Sequence, residues 1–219
     1  MTPPRRVALV GTGLVGGSVG LGLRRAGSEV VGLDADRARV ERARDVGAVD
    51  LVAATLDEAV RDADLVVVAV PVGRVAEVAI AALDAGAPLV TDVGSVKGPV
   101  VHAVEESRPE LARRFVGGHP MAGSEQEGLD GASVDLFAGA TWVLTPTQST
   151  DPAAFASVRA VVGELGADTI ALEPDVHDTL VAVVGHVPQL AASTLMNVAD
   201  AGSDRHAVML RLAAAASAT

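Results

Sequence analysis

Short apolar runs alternate along this chain with longer stretches whose apolar positions recur at helical spacing. The runs Arg6–Val10, Glu29–Leu33, Leu65–Val70, Leu89–Val93, Phe115–Gly117 and Thr141–Leu144 read as strands. Between them Leu14–Ala26, Ala35–Asp45, Val72–Leu83 and Val100–Ser107 read as helices. Residues 65–70 are apolar on both faces, as in a central strand covered by helices on each side. Pro71 cannot extend the ladder, so the chain turns there. A polar stretch, Thr145–Pro152, is followed by one more helix, Ala153–Leu165, and one more strand, Thr169–Leu172. From Pro174 the pattern changes: Asp175–Ala199 reads as one long helix and the remainder stays Ala-rich. These patterns predict a mostly parallel, doubly wound α/β sheet over residues 1–173 and the start of an all-α domain over 174–219.

The first turn of that sheet carries chemistry. Gly11, Gly13 and Gly16 form a G-x-G-x-x-G spacing between an apolar strand and a helix, the Rossmann arrangement for a dinucleotide. Gly11 permits the sharp turn, Gly13 permits backbone to approach a pyrophosphate, and Gly16 permits close helix–strand packing. Leu14 and Val15 then open the helix whose N–H groups and dipole favour the phosphates. Asp34 ends the second strand eighteen positions after Gly16, where a carboxylate accepts hydrogen bonds from the adenosine ribose. It repels a 2′-phosphate, so NAD is expected over NADP, with Arg37 and Arg39 close enough to soften the preference or to serve only as helix surface. Val70 and Pro71, at the carboxyl end of a strand, are expected to border the nicotinamide half.

Composition narrows the setting. Of 219 residues 49% are hydrophobic but only 2% aromatic, so Val, Ala and Leu must build the core. A formal charge of -11 argues against nucleic acid or an anionic membrane as partner, and obliges any phosphate site to use local dipoles. The absence of Cys removes disulfides, thiolate nucleophiles and Cys-based metal sites, in keeping with a cytoplasmic protein. Arg5-Arg6 before an apolar run resembles a targeting segment, but six glycines interrupt the run and no cleavage site follows. No metal-ligand spacing is present, and no metal is expected.

Two later strand ends suggest the reaction: Thr91-Asp92-Val93-Gly94-Ser95-Val96-Lys97, and Val116-Gly117-Gly118-His119-Pro120-Met121-Ala122-Gly123-Ser124-Glu125. With Ala140-Thr141-Trp142-Val143-Leu144-Thr145-Pro146, His177-Asp178 and Gly185-His186-Val187-Pro188-Gln189, the chain resembles the prephenate and arogenate dehydrogenases of tyrosine biosynthesis from Val7 to about Leu212. The resemblance implies oxidation of a cyclohexadienol by NAD with loss of CO2. It implies His119 as the group accepting a hydrogen bond or proton from the substrate hydroxyl, and an imidazole is suited to that near neutral pH. It implies Ser95 as a bridge between substrate and cofactor, and Ser124, Asp178 and His186 on the substrate side. Ser95 could also cap the next helix. Asp178 and Gln189, eleven positions apart, return to nearly one helix face, and Pro188 should interrupt the helix between them. Lys97 reads as a surface or helix-start charge, and His102, His177 and His206 have no comparable support.

Two departures from the family stand out. Gln189 occupies a place where members often carry histidine, and the family's helical domain, with a carboxylate-binding arginine and the helices of its homodimer, extends beyond Leu212. The expected protein is therefore a prephenate dehydrogenase, or the cofactor-binding and catalytic part of one, whether truncated or a short form. Arogenate dehydrogenase, another Rossmann hydroxyacid dehydrogenase, or an inactive NAD-binding module are the alternatives. The hydroxyacid enzymes are expected to use a later lysine, and none follows Lys97.

Overall fold

The computed structural model describes residues 4–126 and 128–201. Contacts divide the chain after His177 into two units. The first is built on an eight-stranded sheet of order β3-β2-β1-β4-β5-β6-β7-β8. Its strands are β1 Arg6–Val10, β2 Glu29–Leu33, β3 Leu51–Val52, β4 Leu65–Val68, β5 Val90–Asp92, β6 Phe115–Pro120, β7 Thr141–Thr145 and β8 Asp168–Ala171. All neighbours run parallel except β6 and β7. The connecting helices are α1 Leu14–Arg25, α2 Arg37–Asp45, α3 Leu56–Val60, α4 Val72–Asp84, α5 Gly98–Ser107, α6 Pro109–Ala112 and α7 Pro152–Glu164.

Both faces of the sheet are covered, and the pleat explains the Val-rich strands. In β1, Val7 and Leu9 join the core that includes Val19 and Leu23 of α1 and Val158 and Val162 of α7. Ala8 and Val10 point into the opposite core, with Val75 and Ala79 of α4 and Val100 and Val104 of α5. Polar side chains cap the helices where the sequence allows. Asp36 accepts from the N–H groups of Ala38 and Arg39 at the start of α2, and Asp151 from Ala153 at the start of α7.

Register decides which residues meet at the sheet edge. Val10 pairs with Leu33 on one side and Val68 on the other, and Val68 pairs with Asp92. Gly11, Asp34, Ala69 and Val93 therefore leave the sheet together, one residue past the last rung. The largest shifts from the expected strands are at β4, which stops at Val68 rather than Val70, and β6, which runs on to Pro120 rather than ending at Gly117; β5, β7 and β8 differ by one residue at one or both ends. The extension follows from the antiparallel partner, because Gly118, His119 and Pro120 pair with Leu144, Val143 and Trp142.

The crossover after β6 folds back over α1. Ser18 Oγ accepts from the N–H of Ser133 at 3.0 Å, and Leu129 and Phe137 are buried in the α1-side core. Arg25 pairs with Asp135 at 2.7 Å, and Arg42 with Asp130.

The helix α8, Pro174–Val181, straddles the division between units, so its first turn belongs with the sheet: Pro174 and His177 are buried. The second unit, from Asp178, continues that helix through a π-helical turn, Ala182–His186, into α9, Val187–Ala201. The turn falls just before Pro188, where the missing N–H and the ring disturb regular α-helix bonding. By length and composition alone, Pro174–Asn197 could cross a bilayer. The burial of His177 in the first unit instead ties the start of that run to protein.

Candidate active site

The glycine loop is held by sterics on both sides. Gly11 adopts φ +97°, and a Cβ there would lie 2.3 Å from the carbonyl oxygen of Ala69. A Cβ on Gly16 would lie 2.1 Å from the carbonyl oxygen of Gly11, so α1 can approach β1 only with glycine at that position. Gly13 differs: a Cβ there would meet no atom within 4 Å, so open space adjoins the N-terminus of α1. Gly13 is also the N-cap residue, with no side-chain cap and no acidic residue in the first turn. The N–H groups at Leu14, Val15 and Gly16 thus form a helix end able to receive negative charge.

Asp34 is tied to this loop. Its Oδ2 accepts from both the N–H and the hydroxyl of Thr12, at 2.8 and 3.0 Å, and Thr12 is fully buried. Its Oδ1 accepts from the N–H of Asp36 at 2.9 Å and from Arg39 at 3.1 Å. Arg39 is therefore drawn to the carboxylate, whereas Arg37 bonds Glu41 one helical turn along and is helix surface. Val70 and Pro71 lie just beyond β4, half-buried and exposed respectively, with Pro71 at the N-cap of α4.

The loop after β5 places Ser95 on the surface of the same edge. Ser95 is not a helix cap: the N-cap of α5 is Lys97, and it has no side-chain cap bond. The expectation of a surface charge at Lys97 is also overturned. Lys97, the only lysine in the chain, is fully buried and pairs with the equally buried Asp92. Its singularity among seventeen basic residues was the available clue.

His119 is half-buried near the end of β6, and its Nδ1 lies 2.9 Å from Nε2 of His177. The rings meet edge to face, with centroids 5.1 Å apart. His177 is completely buried, and its pairing with His119 is the main feature that sequence reading missed. Fifty-eight positions separate the two, so no periodicity links them. His102 instead lies 3.6 Å from exposed Asp175.

Ser124 is exposed in the loop after β6, where its hydroxyl accepts from the N–H of Gln126. Asp178 is half-buried, one residue beyond His177 and the first of the second unit. His186 ends the π-helical turn and Gln189 lies in the first turn of α9; their side chains, like all of His206, lie outside the described residues.

A parallel sheet with a tight glycine loop, an uncapped helix end and a strand-end carboxylate on one edge defines a nucleotide-binding α/β domain. A histidine near the end of a strand further along the sheet, paired with a buried histidine of α8, adds groups able to donate or accept a proton. The chain belongs to the prephenate dehydrogenase family: residues 19–171 match the family described as "Prephenate dehydrogenase, nucleotide-binding domain". Prephenate dehydrogenase of Bacillus subtilis (strain 168) is 31% identical over 213 residues, which are 95% of this chain but 57% of that protein. Prephenate dehydrogenase from Aquifex aeolicus, solved with hydroxyphenyl propionate and NAD+, is 30% identical with a TM-score of 0.83, over 95% of this chain and 78% of the other. Synechocystis arogenate dehydrogenase is 30% identical with a TM-score of 0.81, over 94% and 74%. The chain thus carries the NAD-binding Rossmann domain of an oxidoreductase family.

Proposed function

We propose that this chain takes part in the NAD-dependent oxidative decarboxylation of prephenate to 4-hydroxyphenylpyruvate, with His119 as the proton acceptor. The observation that carries the proposal is the pairing of His119, on the sheet that bears the glycine loop, with the buried His177 of α8. In a pair of neutral imidazoles one ring nitrogen must donate and the other accept. If His119 donates from Nδ1 to His177 Nε2, the proton-accepting nitrogen of His119 is Nε2. A proton taken there leaves an imidazolium whose Nδ1–H still faces His177 Nε2.

Gly11, Gly13 and Gly16 and the first-turn N–H groups of Leu14 and Val15 would hold the pyrophosphate, and the open space at Gly13 fits that use. Asp34 would receive the adenosine ribose, using the oxygen now shared with Arg39. Val70 and Pro71 would border the nicotinamide, and Ser95 would lie between cofactor and substrate. When bound, NAD supplies the hydride acceptor. The residues of this chain take the hydroxyl proton and orient the ring; cleavage of the carboxylate bond releases CO2 and leaves the ring aromatic. Ser124, Asp178, His186 and Gln189 complete the proposal on the substrate side. Dimerisation through the helical unit belongs to the same reading, supported by exposed Leu190, Leu195 and Met196 on α9, as does a cytoplasmic setting.

Formation of NADH by the purified chain, with prephenate or arogenate, tests the function. Turnover of prephenate above arogenate is expected; preference for arogenate would reassign the substrate, and turnover of neither would defeat the proposal. For the cofactor, titration calorimetry should show NAD bound more tightly than NADP. Asp34→Ser should narrow that ratio by about 10-fold or more, the scale of a lost charged hydrogen bond. Tighter NADP binding by the native chain would contradict the role of Asp34.

A further inference from the structure

We infer that the buried Asp92–Lys97 ion pair is a positioning device that sets the His119 strand end against the Ser95 loop. The inference rests on the chemistry proposed above for those two residues. Both charged side chains are 0% exposed. Desolvating two ions in a core of small aliphatic residues is costly, and well-packed apolar groups of similar volume usually stabilise as well or better. Stability alone is therefore a poor explanation of this pair. What it touches is more informative.

Asp92 Oδ1 accepts from the N–H of Gly118 at 3.2 Å, and Lys97 Nζ donates to the carbonyl oxygen of Gly118 at 2.9 Å. Both backbone groups of the residue before His119 are thus held by the two ions. The regular β5–β6 pairing ends with Thr91 opposite Val116, so the pair takes over where the ladder stops. Asp92 Oδ2 accepts from Lys97 and also from the N–H of Gly94 at 2.8 Å. Gly94 precedes Ser95, and Lys97 follows it by two residues. One buried carboxylate and one ammonium therefore pin the Ser95 loop at both ends and fasten it to the backbone of Gly118. On its other side His119 meets His177. The ion pair fixes the backbone one residue before it, at Gly118, and the second histidine meets its ring, two separate restraints on one imidazole.

Removing Lys97 alone would strand a buried carboxylate, so the informative variant is the charge-free double, Asp92→Asn with Lys97→Met. It is to be compared with the native full chain by thermal melting, NAD titration, steady-state kinetics and the 1H–13C resonances of the His119 ring, assigned by their loss in His119→Ala. A positioning role predicts displaced His119 resonances and a kcat about 100-fold lower, the scale of a displacement near 1 Å. KM and NAD affinity should stay within roughly threefold, because uniform binding is untouched. Native His119 resonances in the folded double variant, or a kcat within about twofold of native, would overturn the inference. Should the double not fold, Asp92→Asn with Lys97→Gln, a neutral hydrogen-bonding pair, is read in the same way; loss of the fold in both would make the pair structural and overturn it. A native chain that makes no NADH from either substrate defeats the proposed function, whereas the His119 resonances decide the positioning role in either case.

Discussion

His119→Ala is expected to lower kcat by about 10²–10⁴-fold, the usual worth of a positioned acid–base group. The proton of the substrate hydroxyl would lose its acceptor while the rest of the site persists. NAD affinity should change little, because the glycine loop and Asp34 belong to β1 and β2, on the far side of β4 and β5 from β6. The variant also leaves the buried His177 without the ring 2.9 Å away, at a cost of about 1–3 kcal/mol if no water replaces it. Steady-state kinetics, calorimetry with NAD and thermal melting separate these effects. Turnover equal to the native chain would remove His119 from the mechanism.

The second large effect concerns the glycine loop, where two substitutions three residues apart should fail differently. Gly16→Ala places a Cβ 2.1 Å from the carbonyl oxygen of Gly11 and 3.0 Å from the Ala69 side chain. Backbone cannot yield there as a flexible side chain would, so α1 must move off β1. A stability loss of about 1–3 kcal/mol is expected, with NAD binding weakened as well. Gly13→Ala meets nothing within 4 Å and lies at φ -75°, which alanine adopts without strain. Its melting should match the native chain, yet NAD binding should fall at least 10-fold, about the cost of one displaced phosphate hydrogen bond. Equal NAD affinity in Gly13→Ala would show that the pyrophosphate does not cross that residue.

Much of the sheet was legible in the chain because its determinants are local. The all-apolar run at 65–70 marks a doubly covered strand, and the glycine spacing between an apolar run and a helix marks the first turn. The weaker elements escaped for equally physical reasons. β3 is two residues long, Leu51–Val52, too short for any period to register, and α3 has only one turn and a half. The last residues of β6 are Gly, His and Pro, poor strand formers held extended by pairing with β7. Local preference gave no sign of that pairing.

The residues of the candidate site divide in the same way. Gly11, Gly13, Gly16 and Asp34 are identified by spacing along the chain, since a βαβ unit joins them through a short connection of fixed geometry. Residues 95 and 119 could be placed on one edge because parallel strands all end there. The neighbours of those residues were a different matter. Lys97 read as an ordinary helix-start charge until the fold buried it against Asp92, and His177 had no visible role until α8 brought it to His119. Sequence by itself thus determined the Rossmann sheet, its cofactor loop and the strand ends that carry the candidate chemistry. Only the tertiary structure decided which buried groups lie against those strand ends, because the contacts join residues whose separation along the chain follows no period.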